Sequence, residues 1–438
     1  MLGASGCSTR HSLESAYLAI QEEVQRGQLD AALHDANKTY KKYPGMPSET
    51  AWKFRVQKAH ILFLRGSYRD SLLLLDEDLP PSIKRSGIAA RLELVRGLDH
   101  TYLQEFKEAD QDLSVAAGIA ESSKESRLSV DIAQARGILE LYRRKYPEAA
   151  VAFRATLAMA RQQNLPSPEL NALGNLGNVA MWQEHYDEAI DWFKQTLQKS
   201  RTLHEADTEA KTLGNLGWSY SVVGDFENAE TFLTEAQMKS GQAGLRNDQV
   251  YWLTSLASTY SEQNRYSEAD STARGVLALA EKQDNKETLT HCYNTLSEIA
   301  LATGRVDEAE KYNKEALGIE QAGLDQFGVT SSTIIAGRIA ASKKQYGEAE
   351  KAFQKVIRGP GVETPMRWEA QASLAQVHAA MGNTVLAKRE FGESISTISK
   401  AWDELQREDF RLSFLSSAIR FYDAYVNFLV GRSARSTP

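Results

Sequence analysis

The sequence predicts an all-α protein made of repeated helix pairs, and three observations support this prediction. Only 28 of the 438 residues are Gly and 10 are Pro, and a chain with few helix-breaking residues favours helices. Similar residues recur every 40 positions over most of the chain. Within a repeat, apolar residues lie three or four positions apart, which is the spacing of one helix face.

The clearest repeat signal is a series of alanines. Seven of them follow one another at intervals of 40 residues: Ala109, Ala149, Ala189, Ala229, Ala269, Ala309 and Ala349. An aromatic or aliphatic residue lies three positions before each, a bulky residue lies four positions after most, and a small residue lies twelve positions before. A fixed period of 20–50 residues predicts a solenoid.

The spacing inside one repeat predicts two helices. Leu213, Leu216 and Tyr220 form one apolar stripe, and Ala229 and Leu233 begin a second. The stretch between the stripes contains Gly-Asp, which is typical of one helix ending and another beginning. The small residue of the first helix and the alanine of the second let the helices approach closely. Each pair is expected to contact only its neighbours.

These features resemble the tetratricopeptide repeat family, as shown by Ala172-Leu173-Gly174-Asn175-Leu176-Gly177-Asn178 followed by Tyr186-Asp187-Glu188-Ala189. The family unit is usually 34 residues long, so the 40-residue unit here implies longer helices. The resemblance implies a right-handed superhelical α-solenoid of about ten helix pairs over residues 15–405. It also implies a concave groove that binds a protein or an extended peptide.

Residues 406–430 carry an apolar stripe wide enough for a capping helix or for a junction with another domain or chain. The segments Arg411–Ser417 and Phe421–Tyr425 resemble the stretch that closes the repeat region in bacterial proteins with a caspase-like CHAT domain. This second resemblance implies the regulatory or sensor part of a CHAT-type system, with the CHAT domain or its substrate as a partner. Residues 431–438 are predicted to be a disordered tail.

The first 14 residues are expected to be a disordered tail or the remnant of a lipoprotein signal. Ala4-Ser5-Gly6-Cys7 resembles a bacterial lipoprotein box, in which Cys7 would carry the lipid and anchor the protein in the cell envelope. Without that lipid, a cytoplasmic protein with an incidental cysteine is expected. No run of 18 apolar residues predicts a membrane-spanning helix.

The composition argues against catalysis and against nucleic-acid binding. The formal net charge of -7 disfavours a surface that neutralises phosphates. Two cysteines exclude a disulfide framework, and neither a HExxH motif nor a Gly-rich phosphate loop is present. His291 and Cys292 are adjacent, so on a helix they point about 100° apart and do not form a dyad. The sequence therefore predicts no enzyme activity, no cofactor and no metal site.

The family resemblance implies that the first helix of each pair lines the groove. The candidate ligand-binding residues are Asn171, Asn175, Asn178, Trp182, Lys211, Asn215, Trp218, Tyr251, Ser255 and Asn294. An asparagine amide can pair with a peptide N–H and a C=O at once, and tryptophan supplies large apolar contact area. Alternatively, asparagines at these positions bridge adjacent repeats and the tryptophans fill the core.

The sequence leaves three functions open. The first is a non-catalytic binding scaffold, the second is a truncated fragment of a CHAT cysteine peptidase, and the third is a peptide-sensing signalling receptor.

Overall fold

The structure is a computed structural model that describes residues 4–42, 48–123, 126–281, 286–320 and 326–435. All regular secondary structure in these ranges is α-helical, in 21 helices. The predicted all-α solenoid of helix pairs is therefore confirmed. No helix in these ranges combines the length and apolarity needed to cross a membrane.

Twenty of the helices form ten consecutive pairs. The first helices of the pairs are α1 (Ala4–Gln25), α3 (Ser48–Leu64), α5 (Gly87–Tyr102), α7 (Ser126–Tyr142), α9 (Pro166–Trp182), α11 (Ala206–Val222), α13 (Arg246–Glu262), α15 (Lys286–Ala302), α17 (Gln326–Ser342) and α19 (Thr364–Ala380). The second helices are α2 (Leu29–Lys42), α4 (Tyr68–Leu74), α6 (Phe106–Ser123), α8 (Tyr146–Gln162), α10 (Tyr186–Leu203), α12 (Phe226–Gln242), α14 (Tyr266–Ala280), α16 (Val306–Glu320), α18 (Tyr346–Arg358) and α20 (Thr384–Glu404). Helix α21 (Glu408–Arg435) follows the last pair.

The 40-residue period controls packing inside the pairs. All seven alanines of the repeat series are fully buried. A Cβ atom added to Gly217 would lie 2.6 Å from Cγ of Leu233, the bulky residue on the facing helix. Gly137 faces Phe153 at a similarly short distance. The small and bulky positions therefore touch each other, which explains why both recur with the same period.

The turns inside the pairs share one backbone conformation. A residue with positive φ recurs every 40 positions, at Gln104, Arg144, Glu184, Gly224, Asn264, Gly304 and Lys344. In each turn this left-handed residue ends the first helix, as in the turn where the Asp225 N–H donates to the Tyr220 carbonyl at 2.9 Å. Only two of these seven positions are glycine, so helix ends identified by glycine alone would be missed in the other five.

The chain divides into two compact units, residues 1–179 and 180–438. The first unit contains α1 to α8 and most of α9, with a core that includes Phe54, Leu113 and Phe153. An aromatic ladder runs through its repeats: the ring centroids of Tyr68 and Tyr102 are 5.1 Å apart, and those of Tyr102 and Tyr142 are 4.9 Å apart.

The second unit closes on itself. The Thr364 backbone N–H, at the start of α19, donates to Oε1 of Glu184 beside α10 at 2.7 Å. The Gln406 N–H donates to Oδ2 of Asp187 on α10 at 2.7 Å. The expectation that each pair contacts only its neighbours is therefore wrong for this unit, because carboxylates of its first repeat accept backbone N–H groups that the last repeats leave unsatisfied.

Helix α21 packs across several repeats of the second unit. The Phe410 ring packs edge-on against Tyr220 of α11 with centroids 5.8 Å apart, and the Phe414 ring packs against Trp368 of α19 at 5.5 Å. The helix extends to Arg435, beyond the predicted end at residue 430, although the side chains of 431–435 lie outside the described residues.

The opposite end of the chain also contains more helix than expected. Helix α1 begins at Ala4, so residues 4–14, predicted as a tail, are helical. The side chain of Cys7 lies outside the described residues.

Candidate functional site

A cavity of about 240 Å³ lies inside the second unit, between the first helices of consecutive repeats. Its lining residues are Met181, Trp182, Asn215, Trp218, Tyr251, Trp252, His291, Asn294, Gly328, Ser331 and Glu363. The wall is mainly aromatic and carries a few amide and hydroxyl groups. This mixture is typical of a ligand-binding pocket.

The aromatic walls come from neighbouring helices. Trp182, at the end of α9, is 52% exposed. Trp218 of α11 is half-buried and packs edge-on against Tyr186 with centroids 5.9 Å apart. Tyr251 of α13 stacks on His291 of α15 at 5.3 Å. Large rings with exposed faces can contact an apolar group of a ligand at little entropic cost.

Trp252 is held deep in the wall. Its side chain is 7% exposed, and its indole N–H has no hydrogen-bond partner among the described residues. Gly214 makes room for this ring, since a Cβ on Gly214 would lie 2.1 Å from Cε2 of Trp252. A buried donor with no partner is costly, and it marks a place where a ligand acceptor would be favourable.

Asn294 bridges two repeats. Its Nδ2 donates to the Gly328 carbonyl at 3.3 Å, and its Oδ1 accepts from the Ser332 hydroxyl at 2.6 Å. Both bonds reach the neighbouring first helix or its N-terminal end, so the amide of Asn294 holds the cavity wall together. Asn215 lies on α11 in the same cavity and is half-buried.

A second cavity of about 180 Å³ adjoins the first and shares Trp218, His291, Asn294 and Ser331 with it. Ser255 and Glu298 line this second cavity. The Ser255 hydroxyl donates to the Tyr251 carbonyl of its own helix at 3.1 Å, so it is a structural hydroxyl at the cavity edge.

The second cavity is charged. Nη1 of Arg338 lies 3.2 Å from Oε1 of Glu369. Nη1 of Arg420, on α21, lies 3.0 Å from Oε2 of Glu262. Burial raises the pKa of Glu298 to about 7, and the nearby Glu369 carboxylate acts in the same direction.

The structure brings six of the ten candidate residues to these cavities: Trp182, Asn215, Trp218, Tyr251, Ser255 and Asn294. Asn171, Asn175 and Asn178 lie on α9 within the first unit and do not line either cavity. Lys211 is exposed and lies 4.0 Å from Asp248 across the repeats, also outside the lining.

Sequence reasoning missed the part of the site that comes from α17, α19 and α21. The 40-residue period contained part of this signal. Ser331 follows His291 by one period and Arg338 follows Glu298 by one period, so extending the register by one repeat identifies both. Glu369 and Arg420 lie outside that register and were not accessible to the pattern.

Cys292 is a packing residue. Its side chain is fully buried, and its Sγ lies 3.2 Å from Oγ1 of Thr254. Burial raises the pKa of the thiol to about 11, which keeps it protonated and unreactive at neutral pH.

Comparison with known families identifies the repeats. The MalT-like TPR region matches residues 201–390, and a tetratricopeptide repeat model matches residues 170–208. The repeats of residues 170–390 are tetratricopeptide repeats. In the register of these repeats, the aromatic cavity lies on the first helices, the helices to which the family resemblance assigned the groove. No protein with a curated description matches the sequence.

Solved structures with similar folds include peptide complexes. A Rap protein complexed with Competence and Sporulation Factor has a TM-score of 0.62 and 12% identity, covering 82% of this chain and 100% of that one. The apo quorum sensor NprR from B. thuringiensis has a TM-score of 0.58 and 12% identity, covering 80% and 100%. NprR in complex with its cognate peptide NprX has a TM-score of 0.54 and 13% identity, covering 86% and 99%. At these identities the similarity shows the fold alone.

Proposed function

We propose that this chain is a non-catalytic binding protein that holds a peptide, or an extended segment of a protein, in the aromatic cavity of its second unit. The observation that carries the proposal is the cavity itself, with Trp182, Trp218 and Tyr251 supplied by consecutive repeats. Tryptophan and tyrosine in a concave wall are the side chains most often responsible for binding energy.

An extended peptide fits the polar groups of the cavity. Each peptide unit offers one N–H and one C=O, and the amide of Asn215 can pair with both kinds of group. The buried indole N–H of Trp252 can donate to a carbonyl once a ligand reaches it. Two of the proteins with this fold, Rap and NprR, are complexed with Competence and Sporulation Factor and with the cognate peptide NprX, which supports a peptide-sensing role.

A binding titration tests the proposal. Fluorescent peptides of varied sequence are titrated with the full chain and with Asn215→Ala, Trp218→Ala and Asn171→Ala. We expect Trp218→Ala to weaken binding at least about thirtyfold and Asn215→Ala about fivefold, since these are the usual costs of losing a buried anchor and one hydrogen bond. Asn171→Ala is the matched control, because Asn171 lies outside the cavity, and it should bind as the parent does. Absence of micromolar binding by any peptide, or equal losses in the two asparagine variants, would contradict the proposal.

We also propose that helix α21 connects this chain to a CHAT-type system. Its outer face carries exposed apolar residues, including Leu412, which is 63% exposed, Ile419 and Val426. A helix that is apolar on both faces is typical of a position between two folded parts. Co-expression with a caspase-like domain encoded beside this chain tests the link. Co-purification that is lost in Leu412→Ser plus Ile419→Ser supports it, and separate elution contradicts it. Reading the DNA beyond the codon for Pro438 distinguishes a separate regulatory protein from a fragment of a peptidase.

The cellular location follows from the chemistry of Cys7. We propose a lipid on its sulfur, as the lipoprotein-box resemblance implies, and mass spectrometry of the native N-terminus tests it. A diacylglyceryl group on Cys7 places the protein in the cell envelope, whereas an unmodified thiol removes this anchor.

A further inference from the structure

The second cavity contains an unbalanced set of charges. Five charged side chains meet there from five different helices: Glu262 on α13, Glu298 on α15, Arg338 on α17, Glu369 on α19 and Arg420 on α21. Both arginines already have a carboxylate partner, Arg338 with Glu369 and Arg420 with Glu262. Glu298 is the third carboxylate. It makes no ion pair and no hydrogen bond within the part of the chain that the structure describes.

Glu298 is positioned to meet a ligand. The exposed part of its side chain lines the cavity, and the cavity wall continues through Trp218 and His291 into the aromatic cavity. Burial, together with the nearby Glu369, disfavours the charged carboxylate, whereas Arg338 and Arg420 favour it only in part. A carboxylate kept in such a place without a partner is stabilised by any cation that enters the cavity.

The adjoining cavity supplies the other half of the recognition surface. The Trp252 side chain is more than nine-tenths buried and its N–H has no partner among the described residues, so this wall also lacks an acceptor. A carbonyl group satisfies the indole and a cation satisfies the carboxylate. A peptide carries both groups a few ångströms apart, next to an apolar side chain for the aromatic wall.

We propose that Glu298 binds the cationic group of the ligand, an ammonium or a guanidinium, while an apolar side chain of the same peptide occupies the aromatic cavity. This inference rests on the proposed peptide-binding function and specifies its ligand class. Glu298 is a specificity-determining residue in this arrangement, and the cation comes either from a lysine or arginine side chain or from the free N-terminus of the peptide.

The inference includes a pH dependence with a definite sign. A cation prefers the ionised form of Glu298, whose pKa in the empty cavity is about 7. Affinity for a cationic peptide therefore rises as the pH increases, about tenfold per pH unit below 7, and levels off above it. His291 also lines the cavity, and its protonation would repel a cation. The Glu298→Gln variant separates the two groups, since any remaining pH dependence belongs to His291.

The experiment compares three peptides of one apolar sequence: an N-acetylated peptide with one lysine, an N-acetylated peptide with norleucine in its place, and the norleucine peptide with a free N-terminus. Each is titrated at pH 6 and pH 8 into the parent, Glu298→Gln and Glu315→Gln. Glu315 is the matched control, because it is exposed on α16 of the same repeat. We expect Glu298→Gln to weaken binding of a cationic peptide by about tenfold to a hundredfold and to remove most of the pH dependence, with no change in Glu315→Gln.

The outcomes distinguish this inference from the proposed function. If the lysine peptide responds, the cation is a side chain; if only the peptide with a free N-terminus responds, the cation is the terminal ammonium. Equal binding of all three peptides, equal effects of the two glutamine variants, or a full pH dependence in Glu298→Gln overturns the role of Glu298 and leaves peptide binding intact. If none of the peptides binds, the inference and the proposed function fall together.

Discussion

A buried carboxyl in the first unit leads to a stability prediction that can be worked out from the structure. Asp99 on α5 is fully buried, and both of its carboxyl oxygens lack a hydrogen-bond partner among the described residues. The hydroxyl of nearby Ser71 donates instead to the Ala59 carbonyl at 3.0 Å. One period later the same position is Leu139. Asp99 therefore occupies a place that the repeat otherwise fills with an apolar side chain, and burial raises its pKa to about 7.

The sign of the effect follows from this raised pKa. Below about pH 4 the Asp99 carboxyl is neutral in both the folded and the unfolded chain, so it imposes no charge penalty. Between about pH 4 and 7 the unfolded chain loses the proton and the folded chain keeps it, so the free energy of unfolding falls as the pH rises. Above about 7 the penalty is constant. A difference of about three pKa units corresponds to a loss of up to about 4 kcal/mol.

The Asp99→Asn variant keeps the shape of the side chain and removes this ionisation. We expect it to be more stable than the parent, with an advantage about 2–3 kcal/mol larger at pH 8 than at pH 5. Urea unfolding followed by circular dichroism at both pH values measures the difference. Asp70→Asn, an exposed aspartate on α4, is the control and should behave as the parent does. An advantage of Asp99→Asn that is the same at both pH values would refute the argument, since it would show that Asp99 ionises normally in the folded protein.

Three further predictions concern the second unit. Gly214→Ala places a Cβ 2.1 Å from the Trp252 ring, so we expect shifted tryptophan emission and a lower unfolding temperature, whereas Gly275→Ala, whose Cβ would contact nothing within 4 Å, should show neither; identical spectra would contradict this. Phe414→Ala removes a buried ring that anchors α21, at a cost of about 3–5 kcal/mol, and proteolysis ahead of that helix should accelerate; unchanged cleavage kinetics would count against the anchor. The buried Cys292 thiol, with its pKa raised to about 11, should react with iodoacetamide only after unfolding, as measured by mass spectrometry of its peptide, and rapid labelling of the native chain would show that it is accessible.

Much of the candidate site could be predicted because the repeat register places equivalent residues on one wall. Asn215, Trp218 and Tyr251 were selected from that register, and the structure places them in one cavity. The same register also selected Asn175, which lies in the first unit away from this cavity. A periodic pattern identifies which face of a helix is inward in every repeat. It does not identify the repeats between which a cavity opens.

The sequence by itself determined the helix pairs and their internal packing. Helix formation and the contact between a small and a bulky position, as in Gly217 and Leu233, depend on residues within one repeat, so a 40-residue pattern contains all the information they need. Only the tertiary structure decided that the second unit closes on itself through Glu184 and Thr364, and that five helices bring their charges together around Glu298. The reason is physical. Closure is the sum of small rotations between successive repeats, and contacts between residues 180 positions apart leave no mark on the local pattern.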